Sequence, residues 1–341
     1  MYPVPPHQYV ERSSGRIITE TLVADRLIRW LYSVAREKAP VVFKALTSAH
    51  SSQLFSYFQF DCPTRQCGTS TRKLAVYLNI NLRECVDPAH CLQSARHLFE
   101  RQIKYWECRP MPDGPERIVS PADAKLLVGS LDQTDILFLK EKLFTYAELI
   151  GPGKPQWRTA FEQGAFAVLR LTPEKYHYNH FPVSGQVVDH YSIDGAYHSC
   201  NPTAVVEAVT PYSKNKRIVT IIDTDVSGGT GVGLVAMVEV VALMIGDIVQ
   251  CYSRHRYDAA EPIQLRQWVQ RGQPKSLFRP GSSTDVLFFQ KNRMEFDKDL
   301  VCNCLRRDVY SRFSLGFQQP LVETDVRVRA SIGRRRSDAA L

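Results

Sequence analysis

The stretch "RPGSSTDVLFF", residues 279–289, decides how the second half of the chain is read. Val286–Phe289 is an unbroken apolar run with β-branched and aromatic members, the composition of a strand covered on both faces. A Gly-Ser-Ser-Thr step stands directly before it, and small hydroxyl residues ahead of a strand ordinarily shape a turn. The chemical question is whether Ser282 only shapes that turn.

Runs of the same kind recur from residue 117 onward: "RIVS", "AKLLVGS", "AFAVLRL", "GQVVDHYS", "KRIVTIID" and "DVRVRA". Short β-branched segments separated by turn residues predict a β-rich region. Upstream the texture is helical. Val23, Leu27, Trp30, Leu31 and Val34 form one apolar stripe that Pro40 ends, and Leu92, Ala95, Leu98, Phe99 and Ile103 predict a second helix within 87–107. "CRPMPDGPER" (108–117), with three prolines and a glycine, marks the boundary. The expected class is α+β: a mainly helical N-terminal region over 1–110, then a β-rich catalytic domain over 111–341.

At 341 residues, with 44% hydrophobic and 23% charged residues, the chain can bury a real core and is not a disordered polymer. Its net charge of +8 favours an anionic partner. Neither an RNP signature nor zinc-finger spacing is present, so an acidic membrane surface or an anionic substrate is expected rather than nucleic acid. Nine cysteines without a C-x-x-C pair predict reduced thiols and no metal site. The opening "MYPVPPHQYVERSSGR" lacks the apolar core of a signal peptide. The longest apolar run, Val232–Val249, is interrupted by Glu239 and Asp247, so no transmembrane helix is expected. The expected location is therefore peripheral, at the cytoplasmic face of a membrane, with Trp30, Phe55, Tyr57 and Phe58 as its contacts.

"VSGGTGVG" (226–233) follows an apolar run as a nucleotide-binding loop would, but its glycines are not spaced G-x-G-x-x-G. The valines after it favour a strand, so a turn between strands is predicted.

Three segments collect reactive residue types: "VSPADAK" with Asp123, "EKYHYNHFPVSG" with His177 and His180, and the opening stretch with Gly281 and Ser282. Singly, these are an ordinary turn, a half-buried histidine pair and another turn. Together they hold the parts of a carboxylate–imidazole–hydroxyl relay, in which an imidazole takes the serine proton and a carboxylate orients the imidazole.

"IVSPAD", "YHYNHFPVSG" and "RGQPKSLFRPGSST" resemble, in the same order, the marker segments of the phosphatidylserine decarboxylases, which are self-processing, pyruvoyl-dependent enzymes. "FERQIKYWECRP", "LKEKLFTYAELIG" and "YSKNKRIVTIIDT" fit the segments between them, so the resemblance runs over roughly residues 95–341. It departs at Ala124, Pro274 and Pro280 and in a Gly-rich insertion over 227–233.

The resemblance implies cleavage between Gly281 and Ser282. Ser282 attacks the Gly281 carbonyl, His180 is the base and Asp123 orients His180. A large chain (1–281) and a small chain (282–341) stay associated, and Ser282 becomes a pyruvoyl group, with neither metal nor pyridoxal phosphate. The substrate amine joins that group as a Schiff base, CO2 leaves, and His177 is the acid that reprotonates the carbon. Phosphatidylserine and an anionic membrane are the implied partners, and a homodimer is suggested by the family alone. The alternatives are a pyruvoyl decarboxylase of a soluble amino acid or another serine-headed lipid, and an unprocessed membrane-associated binding protein.

Overall fold

The computed structural model describes residues 5–22, 25, 32, 68–131, 146–207, 211–242, 247–280 and 283–337. Trp30, Phe55, Tyr57, Phe58, Gly281 and Ser282 lie outside them.

Strand β13 (Ser283–Phe289) occupies the middle of a ten-stranded sheet, and all of its residues are buried. It pairs antiparallel on both sides. Ser283 sits opposite Val241 of β9 (Leu234–Val241) and opposite Leu171 of β5 (Ala165–Leu171). Beyond β9 lie β8 (Arg217–Asp223), β7 (Gly185–Ile193) and β11 (Trp268–Val269). Beyond β5 lie β4 (Ala124–Ser130), β15 (Thr324–Val326), β1 (Gln8–Glu11) and β2 (Ile17–Thr19). A central strand covered on both faces explains why "STDVLFF" shows no clean polar alternation.

A three-stranded sheet of β10 (Ile248–Gln250), β12 (Pro274–Phe278) and β6 (Tyr178–His180) packs on the large one. Ile248, Phe278 and Phe181 share one buried cluster with Val238, Val241 and Leu171 of the large sheet. Each such side chain removed from water contributes about 1.5–3 kcal/mol. A third sheet joins β14 (Met294–Phe296), β16 (Ser331–Arg335) and β3 (Arg117–Val119).

The small sheet hands the chain to the large one within four residues, since β12 ends at Phe278 and β13 starts at Ser283. The Gly281–Ser282 bond belongs to that connection.

The α+β class is what the chain shows, with two local differences. Within the region read as mainly helical, residues 8–19 are instead the hairpin β1–β2, and β1 pairs in parallel with β15. The helix expected over 87–107 is only Ala95–Phe99, capped by Ser94, with a further turn at Tyr105–Cys108. Ile103 is drawn out of the helix into a bridge with Cys85. The Gly-rich stretch joins the antiparallel neighbours β8 and β9, as a turn should. Gly228, Gly231 and Gly233 each take a positive φ there, which costs glycine alone nothing.

Candidate active site

Asp123 ends the turn that leads into β4. Ser120 shapes this turn by donating from its hydroxyl to Ala122 O at 2.7 Å. The Asp123 carboxylate receives a fork from Arg109, Nη2 at 2.7 Å and Nε at 3.0 Å, and the Val328 amide at 2.8 Å. Burial disfavours its charge, but Arg109 outweighs burial and holds the carboxyl below its usual range. Arg109 also meets Glu84 at 2.9 Å.

His180 closes β6. Its amide donates to Pro121 O at 2.7 Å, tying β6 to the Asp123 turn. Both ring nitrogens are engaged, Nδ1 with Gly272 O at 2.9 Å and Nε2 with Tyr176 Oη at 3.0 Å. Burial pushes its pKa down to about 3, against the opposing pull of the Gly272 carbonyl. The orienting contact expected from Asp123 is thus made by Gly272, because Arg109 and Val328 already occupy the carboxylate. Asp123 acts on the ring through space, favouring its charged form.

His177 donates from Nδ1 to Lys175 O at 2.8 Å and packs under Phe99, ring centroids 3.6 Å apart. Its Nε2 is buried with no partner among the described residues. Burial, then Arg101, lowers its pKa well below the ordinary histidine value. It is therefore a neutral ring, and must first gain a proton before it can donate one.

His177 just precedes β6 and packs on Phe99, while His180, at its end, packs on Tyr105 and Tyr176, the opposite sides that three-residue spacing in extended chain gives. Tyr176, Tyr178 and His180 share one face, with Tyr176 and Tyr178 stacked at 5.5 Å. Asn179, on the other, reaches Glu239 of the large sheet at 3.3 Å. Along the ladder, Phe278 donates to His177 O at 3.1 Å while Pro274 lies opposite His180. The His177 backbone therefore lies beside the last residue of β12, and His180 beside its first.

Register also brings Asp123 to this end of the large sheet. Thr284 and Lys125 both pair with Arg170, so the starts of β13 and β4 flank the end of β5. Ser283 Oγ and both carboxyl oxygens of Asp285, on the face shared with Glu239, are buried with no partner among the described residues. The Asp285 carboxyl is raised well above its usual range by burial and then by Glu239, so it is protonated. Glu239 itself is ionised by Lys275, 2.6 Å away, and also accepts from Ser276 and Gln250.

The family model for phosphatidylserine decarboxylase matches residues 95–303. The chain belongs to the phosphatidylserine decarboxylase family. Among similar proteins, the phosphatidylserine decarboxylase proenzyme of Chlamydia trachomatis serovar D is 29% identical over 329 residues, 96% of this chain and 97% of its own length. Those of Fusobacterium nucleatum and Clostridium tetani are 28% and 26% identical, over 87% and 86% of this chain and 91% of their own lengths in each case.

Beyond the residues expected from the sequence, the decarboxylase fold adds Arg109, Tyr176, Tyr257, Glu239, Lys275 and Asp285 to the neighbourhood. Glu239 was visible as a charge inside an apolar run, and Asp285 as an acid inside a strand. Nothing local marked the others. His7, Glu20 and Glu323 have donor atoms close enough to hold a cation. Arg170 and Lys125 already neutralise the two carboxylates there, at 2.6 to 3.1 Å. No described helix is long and apolar enough to cross a membrane.

Proposed function

We propose that this chain is made as a precursor that cuts itself between Gly281 and Ser282, then converts phosphatidylserine to phosphatidylethanolamine and CO2. The observation that carries this reading is the convergence of the His-bearing strand, the Asp123 turn and the start of β13 on one end of the sheet. That meeting joins segments far apart in sequence, and it supports the reading.

In the first stage Ser282 Oγ attacks the Gly281 carbonyl carbon, and His180 is the base. Arg109 keeps Asp123 ionised, so that Asp123 favours the imidazolium as it forms. The peptide link becomes an ester, and elimination and hydrolysis then leave a pyruvoyl group at position 282. The small chain stays in place because β13 is held on both sides by β9 and β5, and β15 and β16 are paired with β4 and β3.

The residues present suit a pyruvoyl group: His177 Nε2 and Ser283 Oγ are buried polar atoms at this end of the sheet with no partner among the described residues. Such a group supplies an electron sink for the carbon that loses CO2. His177 is the proton carrier, first as a neutral base and then as the acid. The net charge of +8 favours docking on an anionic bilayer, where a diacyl substrate resides.

The test is CO2 release by the purified protein from phosphatidylserine in mixed micelles, against free serine and other amino acids. Release from the lipid alone is expected. Release only from a free amino acid would move the substrate assignment to a soluble amine. His177→Ala is expected to be cut normally and to turn over at least about a hundredfold more slowly, the scale of a lost general acid–base group.

A further inference from the structure

His180 is one member of a hydrogen-bonded chain with a fixed proton count. It runs from Gly272 O to His180 Nδ1 (2.9 Å), from Nε2 to Tyr176 Oη (3.0 Å), on to Tyr257 Oη (2.7 Å), and ends at Ile103 O (2.8 Å). Both ends are backbone carbonyls, which only accept. The chain therefore has four contacts, while a neutral imidazole and two phenols supply three protons. Whatever the tautomer, one contact is left as two lone pairs facing each other.

An imidazolium removes the mismatch. Nδ1–H then donates to Gly272 O, Nε2–H to Tyr176, Tyr176 to Tyr257, and Tyr257 to Ile103 O. The Ile103 amide, 3.1 Å from Tyr257 Oη, donates into the chain and agrees with this direction.

We propose that Tyr176 and Tyr257 are positioning residues for self-cleavage, forming with His180 a store that holds the serine proton during the reaction. This rests on the assignment of His180 as base. As Ser282 Oγ bonds to the Gly281 carbonyl carbon, its proton is taken up at the contact that has two facing lone pairs, the others shift along to leave His180 as the imidazolium, and the chain goes from three protons to four. As the C–N bond breaks, that proton is returned to the Ser282 nitrogen, and the count falls back to three.

The surroundings keep the resting chain one proton short. Burial, then Arg329 and Arg109, oppose charge on His180, the Gly272 carbonyl and Asp123 favour it, and Tyr105 lies edge-on at 4.7 Å. The ring is fully enclosed, which agrees with its lowered pKa. The store is thus empty at rest and is filled only in passing.

Tyr257→Phe tests the proposal, because it removes one proton and two contacts and leaves a neutral His180 fully matched. Freshly translated precursor is followed by denaturing gel across a pH series. The variant should cleave at least about tenfold more slowly, with the acid limb of its pH profile moved down by about one unit, since the imidazolium has lost support. Tyr178→Phe is the control, as its hydroxyl bonds to Gln102 outside the chain and the profile should not move. A wild-type rate for Tyr257→Phe, or slower cleavage with an unmoved limb, overturns the proposal. Should circular dichroism show Tyr257→Phe unfolded, Tyr176→Phe carries the same expectation. If Ser282→Ala is still cut, the cleavage assignment itself fails. If it is uncut while Tyr257→Phe behaves as wild type, only the proton store fails.

Discussion

Arg109 holds Asp123 by a two-pronged charge-assisted contact, Nη2 to Oδ2 at 2.7 Å and Nε to Oδ1 at 3.0 Å, in a fully buried setting. The carboxylate of the proposed relay is ionised because this guanidinium outweighs its burial. Removing Arg109 would strand a charge with no water to solvate it.

Arg109→Ala, made in the uncut Ser282→Ala background, is therefore expected to destabilise the precursor by about 3–5 kcal/mol in chemical denaturation. In the native background it should also stop maturation. Arg109→Lys keeps the charge but loses the fork, and should mature slowly. Normal maturation of Arg109→Ala would show that Asp123 needs no fixed cation.

Lys275 and Glu239 join β12 to β9 by a 2.6 Å ion pair at 0% exposure. Glu239→Gln leaves the ammonium unpaired and is expected to cost about 3–5 kcal/mol. The double variant Lys275→Met/Glu239→Leu should recover most of that loss. A double-mutant cycle by urea denaturation checks the coupling, and additive losses would mean that the pair does not couple.

Asp285 is held protonated, so Asp285→Asn swaps one neutral side chain for another of nearly the same shape. Its cost should stay within about 1 kcal/mol at neutral pH. A loss of several kcal/mol in the same denaturation series would mean that Asp285 is ionised in the fold.

Among the described residues four histidines carry lowered pKa values: burial takes His177 well below the usual range, His180 to about 3, and His190 and His198 each to about 4. The unfolded chain binds protons at all four as pH drops below about 6.5, and the folded chain does not. Asp285 and Asp325, raised by burial, work in the opposite sense over the same interval. Four imidazoles against two carboxyls leave a net loss of stability as pH falls from about 6.5 toward 4. The melting temperature of the uncut Ser282→Ala precursor should decline over that interval, and a flat profile would contradict the burial of these rings.

The central strand and the family were legible because their signals are local. "TDVLFF" is apolar enough to need cover on both sides, and the ordered Asp, His and Gly-Ser segments carry a family pattern. What escaped depends on partners distant in sequence. Tyr176 and Tyr257 meet across 81 residues, and Arg170 and Glu323 across 153. The N-terminal hairpin was missed because "QYVE" and "IIT" are too short to announce strands, and β1 is fixed by β15 from the far end of the chain. The helix over 87–107 was overextended because periodicity cannot show that Ile103 is claimed by Cys85.

Intact mass of the purified protein tests the central claim most directly. Two chains are predicted, 1–281 and 282–341, the smaller beginning with a carbonyl-reactive pyruvoyl group in place of Ser282, and Ser282→Ala should give one. A single full-length chain, inert to carbonyl reagents, from the unmutated sequence would contradict the account.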